Sequence, residues 1–286
     1  MLGRRRAFRL LTLPPAAWLA LFFIAPVILV IAISFRPEAG PINFDDPWTL
    51  SLAQYDRIFA TPSYLRLLGS SILIALAVAS AATVLAYPIA YFLAFRARER
   101  ATFFLILLLI PFAVSYLLRV MAWRLMLGQE GAINSFLGSI GLISEPIDLL
   151  LYSQGAVIVT LVYVWIPFAA LPIYAALQRI DRGHLEAAAD LGAGPWTRFA
   201  RVTLPMGLPG ALAAFFMVFI PTVGEYVTPS LVGGTEGYMY GNLIQDFFGQ
   251  AGAWAGGAAL SVLMLVVTSV LVAIMLRVID LQRLAT

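Results

Sequence analysis

Residues 183–205 read GHLEAAADLGAGPWTRFARVTLP, a polar interruption between two apolar runs that are each long enough to cross a bilayer. Arg179 and Arg182 precede it, and Arg198 and Arg201 lie within it. The string from Gly183 to Leu191 favours a short helix, because Ala, Leu and Glu have good helix propensity. Glu186 near its start suits the positive end of the helix dipole. Ala187, Ala188 and Ala189 offer a smooth surface that another body can approach closely. Gly192-Ala193-Gly194 breaks the helix, and Pro195 suits the first turn of a second one. That second helix, about 195–203, carries Trp196, Phe199 and Val202 as an apolar stripe beside Arg198 and Arg201, and Leu204-Pro205 ends it. The expected product is a bent pair of short helices at a membrane surface. An interfacial helix resting on lipid would account for the stripe and the arginines. It would not account for the Ala run and the double-Gly break.

The composition supports a membrane setting. The chain has 286 residues, 62% apolar and 12% charged, whereas a soluble domain carries roughly 25% charged residues. Apolar runs of about 20 residues match a hydrocarbon core roughly 30 Å thick. They predict an all-α integral membrane protein of six spans, at about 14–34, 68–95, 101–126, 153–177, 207–231 and 256–276. The whole chain, 1–286, reads as a single transmembrane domain with its core over about 66–280. MLGRRRAFRL followed by an apolar run has the order of a secretory signal, but no small-x-small cleavage site follows, so the first span is expected to be retained. The stretches 36–66, 128–152 and 233–254 read as connecting loops, the first interrupted by Pro37, Pro41, Pro47 and Pro62.

Charge orients the spans. All eighteen basic residues are arginine. Thirteen of them fall on one side of a six-span alternation: Arg4, Arg5, Arg6, Arg9, Arg96, Arg98, Arg100, Arg179, Arg182, Arg198, Arg201, Arg277 and Arg283. That asymmetry predicts that residues 183–205 and both termini are cytoplasmic. Pro26, Pro88, Pro111, Pro167, Pro172, Pro221 and Pro229 lie in or at the edges of spans. Each removes a backbone donor, which points either to bent helices around a water-accessible path or to kinks that only shape packing.

Several chemistries are excluded. There is no cysteine and a single histidine, His184, so disulfides, thiolate nucleophiles and His-based metal clusters are out. With no lysine there is no phosphate-cradling GxxxxGK[ST] loop. No catalytic residue, resident cofactor, metal site or nucleic-acid surface is expected. Any energy source is an ion gradient or another subunit. Two ionisable groups fall inside spans, where a charge costs on the order of 3 kcal/mol. Glu225, in the outer half of the fifth span, reads either as a counter-charge for a cationic substrate or as a structural partner of Arg119 or Arg124. Arg119 lies toward the outer end of the third. Tyr226, Tyr116, Trp123 and Trp165 offer faces for an ammonium group or interfacial anchors.

The spacing of Glu186-Ala187-Ala188, three residues, Gly192, nine residues, Val202, one residue and Leu204-Pro205 resembles the cytoplasmic signature of permease subunits of binding-protein-dependent ABC importers. Within that family PFAVSYLLRVMAWRLMLGQEGAIN (111–134) and IPTVGEYVTPSLVGG (220–234) look like the putrescine/spermidine importer permeases. The resemblance implies the type I ABC importer permease fold, with a cytoplasmic coupling-helix pair between spans four and five, in the bacterial inner membrane. It also implies a second, non-identical permease subunit, together with two ABC ATPase subunits that bind ATP and Mg and a periplasmic substrate-binding protein. The cargo would be a small cationic amine such as putrescine or spermidine. Related permeases carry amino-acid-like compounds, opines or metal chelates, and a proton-coupled secondary carrier is the reading from another class.

Overall fold

The computed structural model describes residues 12–38, 40, 48–147 and 150–279, without the side chains of Arg98, Arg182, Val278 and Ile279. Arg4, Arg5, Arg6, Arg9, Arg283, Pro41 and Pro47 lie outside the described residues. Among the described residues the chain is helical, with no strand. In chain order the helices are α1 (Thr12–Ser34), α2 (Ala53–Ala60), α3 (Pro62–Arg96), α4 (Ala101–Ala113), α5 (Tyr116–Leu127) and α6 (Ala132–Ser139). They continue with α7 (Gln154–Leu177), α8 (Arg182–Asp190), α9 (Pro195–Val223), a short α10 over 227–233, α11 (Tyr240–Phe248) and α12 (Trp254–Ile279).

Helices α1, α3, α7, α9 and α12 are long and apolar enough to cross a membrane, and a bent pair of helices supplies a sixth span. That pair takes the place of the third span expected over 101–126, and the chain turns by 84° between Ala113 and Tyr116. Pro111 cannot donate to the preceding turn. The helix tightens to a 3₁₀ turn over Ile110–Ala113, and Val114 leaves it with extended backbone, ψ 137°. The connecting stretches are also partly helical: 36–66 contains α2, 128–152 contains α6 and 233–254 contains α11.

Proline also shapes α9. The expected stop at Leu204-Pro205 does not occur. A π turn over Phe199–Thr203 precedes Pro205, and the Leu204 N–H donates to Phe199 O, five residues back. The wider turn takes up the register that proline disrupts, and the helix runs on to Val223. A similar π turn, Ala20–Ile24, precedes Pro26 in α1.

The described chain falls into two compact units. The larger, Leu67–Asn242 with residues from Thr268 onward, is built on small residues, as expected where lipid provides no hydrophobic drive between helices. On α3, Ala75, Ala79, Ala82, Ala86 and Ala90 form a fully buried stripe, while Leu73 and Val84 on the opposite side are exposed. Helices α7 and α9 meet at Gly207 and Gly210. A Cβ on Gly210 would lie 2.5 Å from Ala176 Cβ and 2.7 Å from Pro172 O, so only glycine permits this approach.

The smaller unit joins residues up to Arg66 to Leu243–Val267. Its polar anchor is Arg36, fully buried just after α1 and paired with Glu38. Gln54 on α2 donates to Glu38 O at 2.6 Å, and Arg36 lies over the Trp48 ring at 5.0 Å. Tyr55 shares a 2.7 Å hydroxyl bond with Ser34. The Arg36 guanidinium holds the Glu38 carboxyl below its ordinary value of 4.5.

Candidate functional site

Two sites carry the residues singled out in the sequence, and they lie at opposite ends of one helix. The first is the bend between α8 and α9. Asp181 caps α8, its carboxylate accepting from Gly183 N–H at 2.9 Å. The helix then ends in a paired closure: Gly192 N–H donates to Ala189 O at 2.9 Å and Ala193 N–H to Ala188 O at 3.0 Å. This geometry requires a left-handed residue between helix and exit, and Gly192 supplies it with φ +81°. Gly194 then caps α9, its carbonyl accepting from Arg198 N–H at 3.0 Å, with Pro195 in the first turn.

No residue of α8 is buried among those with described side chains. Glu186 and Ala187 are exposed and Ala188 is half-buried. Leu191 beyond it is 89% exposed and Trp196 76%. Exposed apolar side chains beside a polar helix suit contact with lipid or with another protein. Val202 is half-buried in the π turn, and Leu204 and Pro205 are exposed where the turn passes into the rest of α9. The second arm of the bent pair is therefore the start of α9 itself and not a separate short helix.

Tyr87 on α3 fixes this arm, donating to Thr203 O at 3.3 Å and packing edge-on against Phe199 at 5.9 Å. Beside them runs an apolar cavity of about 760 Å³ lined in part by Tyr91, Trp196 and Leu204.

The second site is the far end of α9. The fifth span was expected to reach 231, but α9 stops at Val223 and the backbone opens at Gly224. Glu225 thus lies beyond the helix, not within it. Its Oε1 accepts from the N–H groups of Tyr226, Val227 and Thr228 at 3.1, 2.9 and 3.3 Å. A carboxylate in this position caps α10, so the break is built by Glu225 as much as by Gly224. The expected alternative, an ion pair to Arg119 or Arg124, is not present among the described residues. Arg124 instead donates to the Tyr152 hydroxyl at 3.1 Å.

Residues from distant segments lock the break. Tyr116 on α5 shares a 2.6 Å hydroxyl bond with Thr228. Asn242 on α11 donates to Tyr226 O at 2.9 Å and to Ser230 Oγ at 2.7 Å, and its Oδ1 accepts from Met239 N–H at 3.0 Å. Gly241 is pressed against the same turn, since a Cβ there would lie 2.6 Å from both Gly224 O and Glu225 O. None of Thr228, Gly241 and Asn242 was singled out in the sequence. Gly241 and Asn242 sit in a stretch that reads as loop, and only the position of α11 reveals their task.

Of the candidate path residues, Glu225 is half-buried and Tyr226 is 44% exposed. Arg119 is 9% exposed and lies over the rings of Phe112 and Tyr116. The structure thus gathers Glu225, Tyr116 and Arg119 near one break. Trp123, one turn beyond Arg119 on α5, packs on Tyr163 at 5.4 Å, and Trp165 packs on Phe168 at 5.5 Å.

Comparison with known proteins agrees with this architecture. The chain is 33% identical over 262 residues to the spermidine/putrescine transport system permease protein PotB of Escherichia coli (strain K12), covering 91% of this chain and 93% of that one. It is 30% identical over 287 residues to the inner membrane ABC transporter permease protein YdcU of the same strain, covering 94% and 88%. The fold matches a subunit of a bacterial ABC transporter involved in the import of the acidic polysaccharide alginate, with a TM-score of 0.70 at 18% identity over 97% of each chain. The family profile of the binding-protein-dependent transport system inner membrane component matches residues 82–283. With its apolar spans, its bend between the fourth and fifth of them and these relatives, the chain belongs to that family, as a multi-pass inner-membrane permease subunit of an ABC importer.

Proposed function

We propose that this subunit forms half of a translocation path for a small cationic amine such as putrescine or spermidine, and that it is driven through the α8–α9 bend by a partner ATPase. The observation that carries the coupling role is the uncovered α8, closed by Gly192 in the left-handed region and followed by an arm that runs without interruption into the rest of α9. A helix of 29 residues at 1.5 Å per residue is about 43 Å long. A push on the bend at Glu186, Ala187 and Ala188 is therefore delivered through Val202, Leu204 and Pro205 to the break at Glu225. The bend is a mechanical link, and the bond-breaking chemistry, with ATP and Mg, belongs to two ATPase subunits. A second, non-identical permease would complete the path, and a periplasmic binding protein would load it. In this reading both termini and the bend are cytoplasmic.

The amine reading is supported by the names of the relatives and by the half-buried Glu225 carboxylate beside Tyr226 and Tyr116. A carboxylate with neighbouring aromatic faces is suited to an ammonium group. Arg119 and Trp123 would line the same route.

The test is reconstitution of the chain with the products of neighbouring genes. An ABC ATPase should co-purify, and uptake of putrescine should stop when the catalytic glutamate of that ATPase is replaced by glutamine. Uptake that persists in that variant overturns the proposal.

A further inference from the structure

Among the described residues Arg119 has no counter-ion. It is 9% exposed, its Nε is buried without a partner, and no ion pair or side-chain hydrogen bond to it is found among the described residues. A bare charge at membrane depth is costly and persists where it has a use. What supports it is a shelf of rings: its guanidinium carbon lies 4.6 Å from the Phe112 centroid and 5.8 Å from that of Tyr116.

The same Tyr116 leads to an anion. Its hydroxyl bonds Thr228 Oγ1 at 2.6 Å, and Thr228 N–H reaches Glu225 Oε1 at 3.3 Å. The Tyr116 hydroxyl is within electrostatic reach of both the Glu225 carboxylate and the Arg119 guanidinium. Glu225 spends one oxygen, Oε1, on three backbone N–H groups. The same carboxylate also interacts with the Tyr116 hydroxyl. One tyrosine thus lies against both a buried guanidinium and a carboxylate that do not pair with each other.

We propose that Arg119 alternates between the ring shelf and the Glu225 carboxylate, and so competes as a tethered cation with the ammonium group of the cargo. This rests on the reading of Glu225 as the counter-charge for a cationic amine. The pairing has two consequences. Arriving cargo must displace the guanidinium, which falls back onto Phe112 and Tyr116 at no loss of cation–π contact. When the conformation changes, the guanidinium returns to Glu225 and expels the amine, leaving the path neutral. Arg119 is then a residue that sets affinity and release, acting through Glu225.

The complete reconstituted transporter tests this by initial rates of putrescine uptake. If the tethered cation holds the carboxylate for roughly nine-tenths of the time, it lowers apparent affinity about tenfold. R119Q should therefore lower KM about tenfold and lower kcat as release slows, while R119K retains a cation and keeps KM near the parent value. In an E225Q background R119Q should change KM no further, because two residues acting as a pair are not additive. An R119Q variant whose KM is unchanged or raised, in a protein where E225Q weakens uptake, overturns the proposal and leaves the role of Glu225 standing.

A second readout is independent of cargo. The chain has no cysteine, so R119C and E225C together can be joined by a bifunctional methanethiosulfonate in the resting and the ATP-trapped complex. Cross-linking that rises in one state supports the alternation, and none in either state overturns it. Failure of the parent protein to carry putrescine would sink the amine reading, while the cross-link would still decide whether the two side chains meet.

Discussion

Ala193 donates its N–H to the carbonyl oxygen of Ala188 at 3.0 Å, across a glycine at φ +81°. That bond turns the chain out of α8 and aims it into α9. The spacing of alanines and glycine in the bend is therefore a requirement of backbone geometry as well as of docking.

Substitution at Gly192 should separate these requirements. A left-handed conformation costs an L-residue about 1–2 kcal/mol, and less for asparagine. G192V should reach the membrane but lose most ATPase co-purification and uptake, and G192N should keep a large part of both. E186R, which leaves the backbone alone and alters only the exposed face, should also lose co-purification. Pull-down yield and vesicle uptake decide this, and equal yields for all three variants would remove the bend from coupling.

Glu225 carries a structural and an electrostatic task that two substitutions can divide. Glutamine keeps an acceptor oxygen for the N–H groups of Tyr226, Val227 and Thr228, whereas alanine removes it at a cost of about 1 kcal/mol. E225Q should leave thermal stability near the parent value and raise KM for a cationic amine, with E225D closer to the parent. E225A should lower both stability and uptake. A common uptake for E225Q and E225D would confine Glu225 to capping.

The contact of α7 with α9 leaves no room at Gly210. A methyl group there must displace Ala176 Cβ and the Pro172 carbonyl, and overpacking of this kind costs about 1–3 kcal/mol. G210A should lower the melting temperature of the detergent-solubilised complex. Adding A176G should restore part of the loss but not all, because the Pro172 carbonyl remains. Full recovery would mean that the backbone contact is slack.

Acid should weaken the Arg36–Glu38 anchor. The folded carboxyl titrates below 4.5 because Arg36 favours its ionised form. Its contribution is therefore complete above about pH 5 and is lost as pH falls through the lower folded value. Thermal melting between pH 7 and pH 3.5 should show a parent protein more stable than E38Q at neutral pH, with the difference closing in acid. Parallel curves would exclude the anchor as the source of acid sensitivity.

Much of the protein is legible in its sequence because the signals are local. Apolar runs near 20 residues, the arginine pattern beside them, and the Glu186 to Pro205 spacing each depend on neighbours along the chain. So does the bend, since a glycine after an alanine helix closes it with bonds that span six residues. The tertiary structure decided what distance in the chain conceals. Pro205 passes through α9 because a π turn absorbs its missing donor, so the bend and the break belong to one helix. Glu225 leaves that helix and becomes a cap because Tyr116, 112 residues before Thr228, and Asn242 on α11 hold the break open. Arg119 lies on rings, apart from the carboxylate that hydropathy alone would have paired with it. Hydropathy reports how deep a charge lies, and only packing determines which partner it meets.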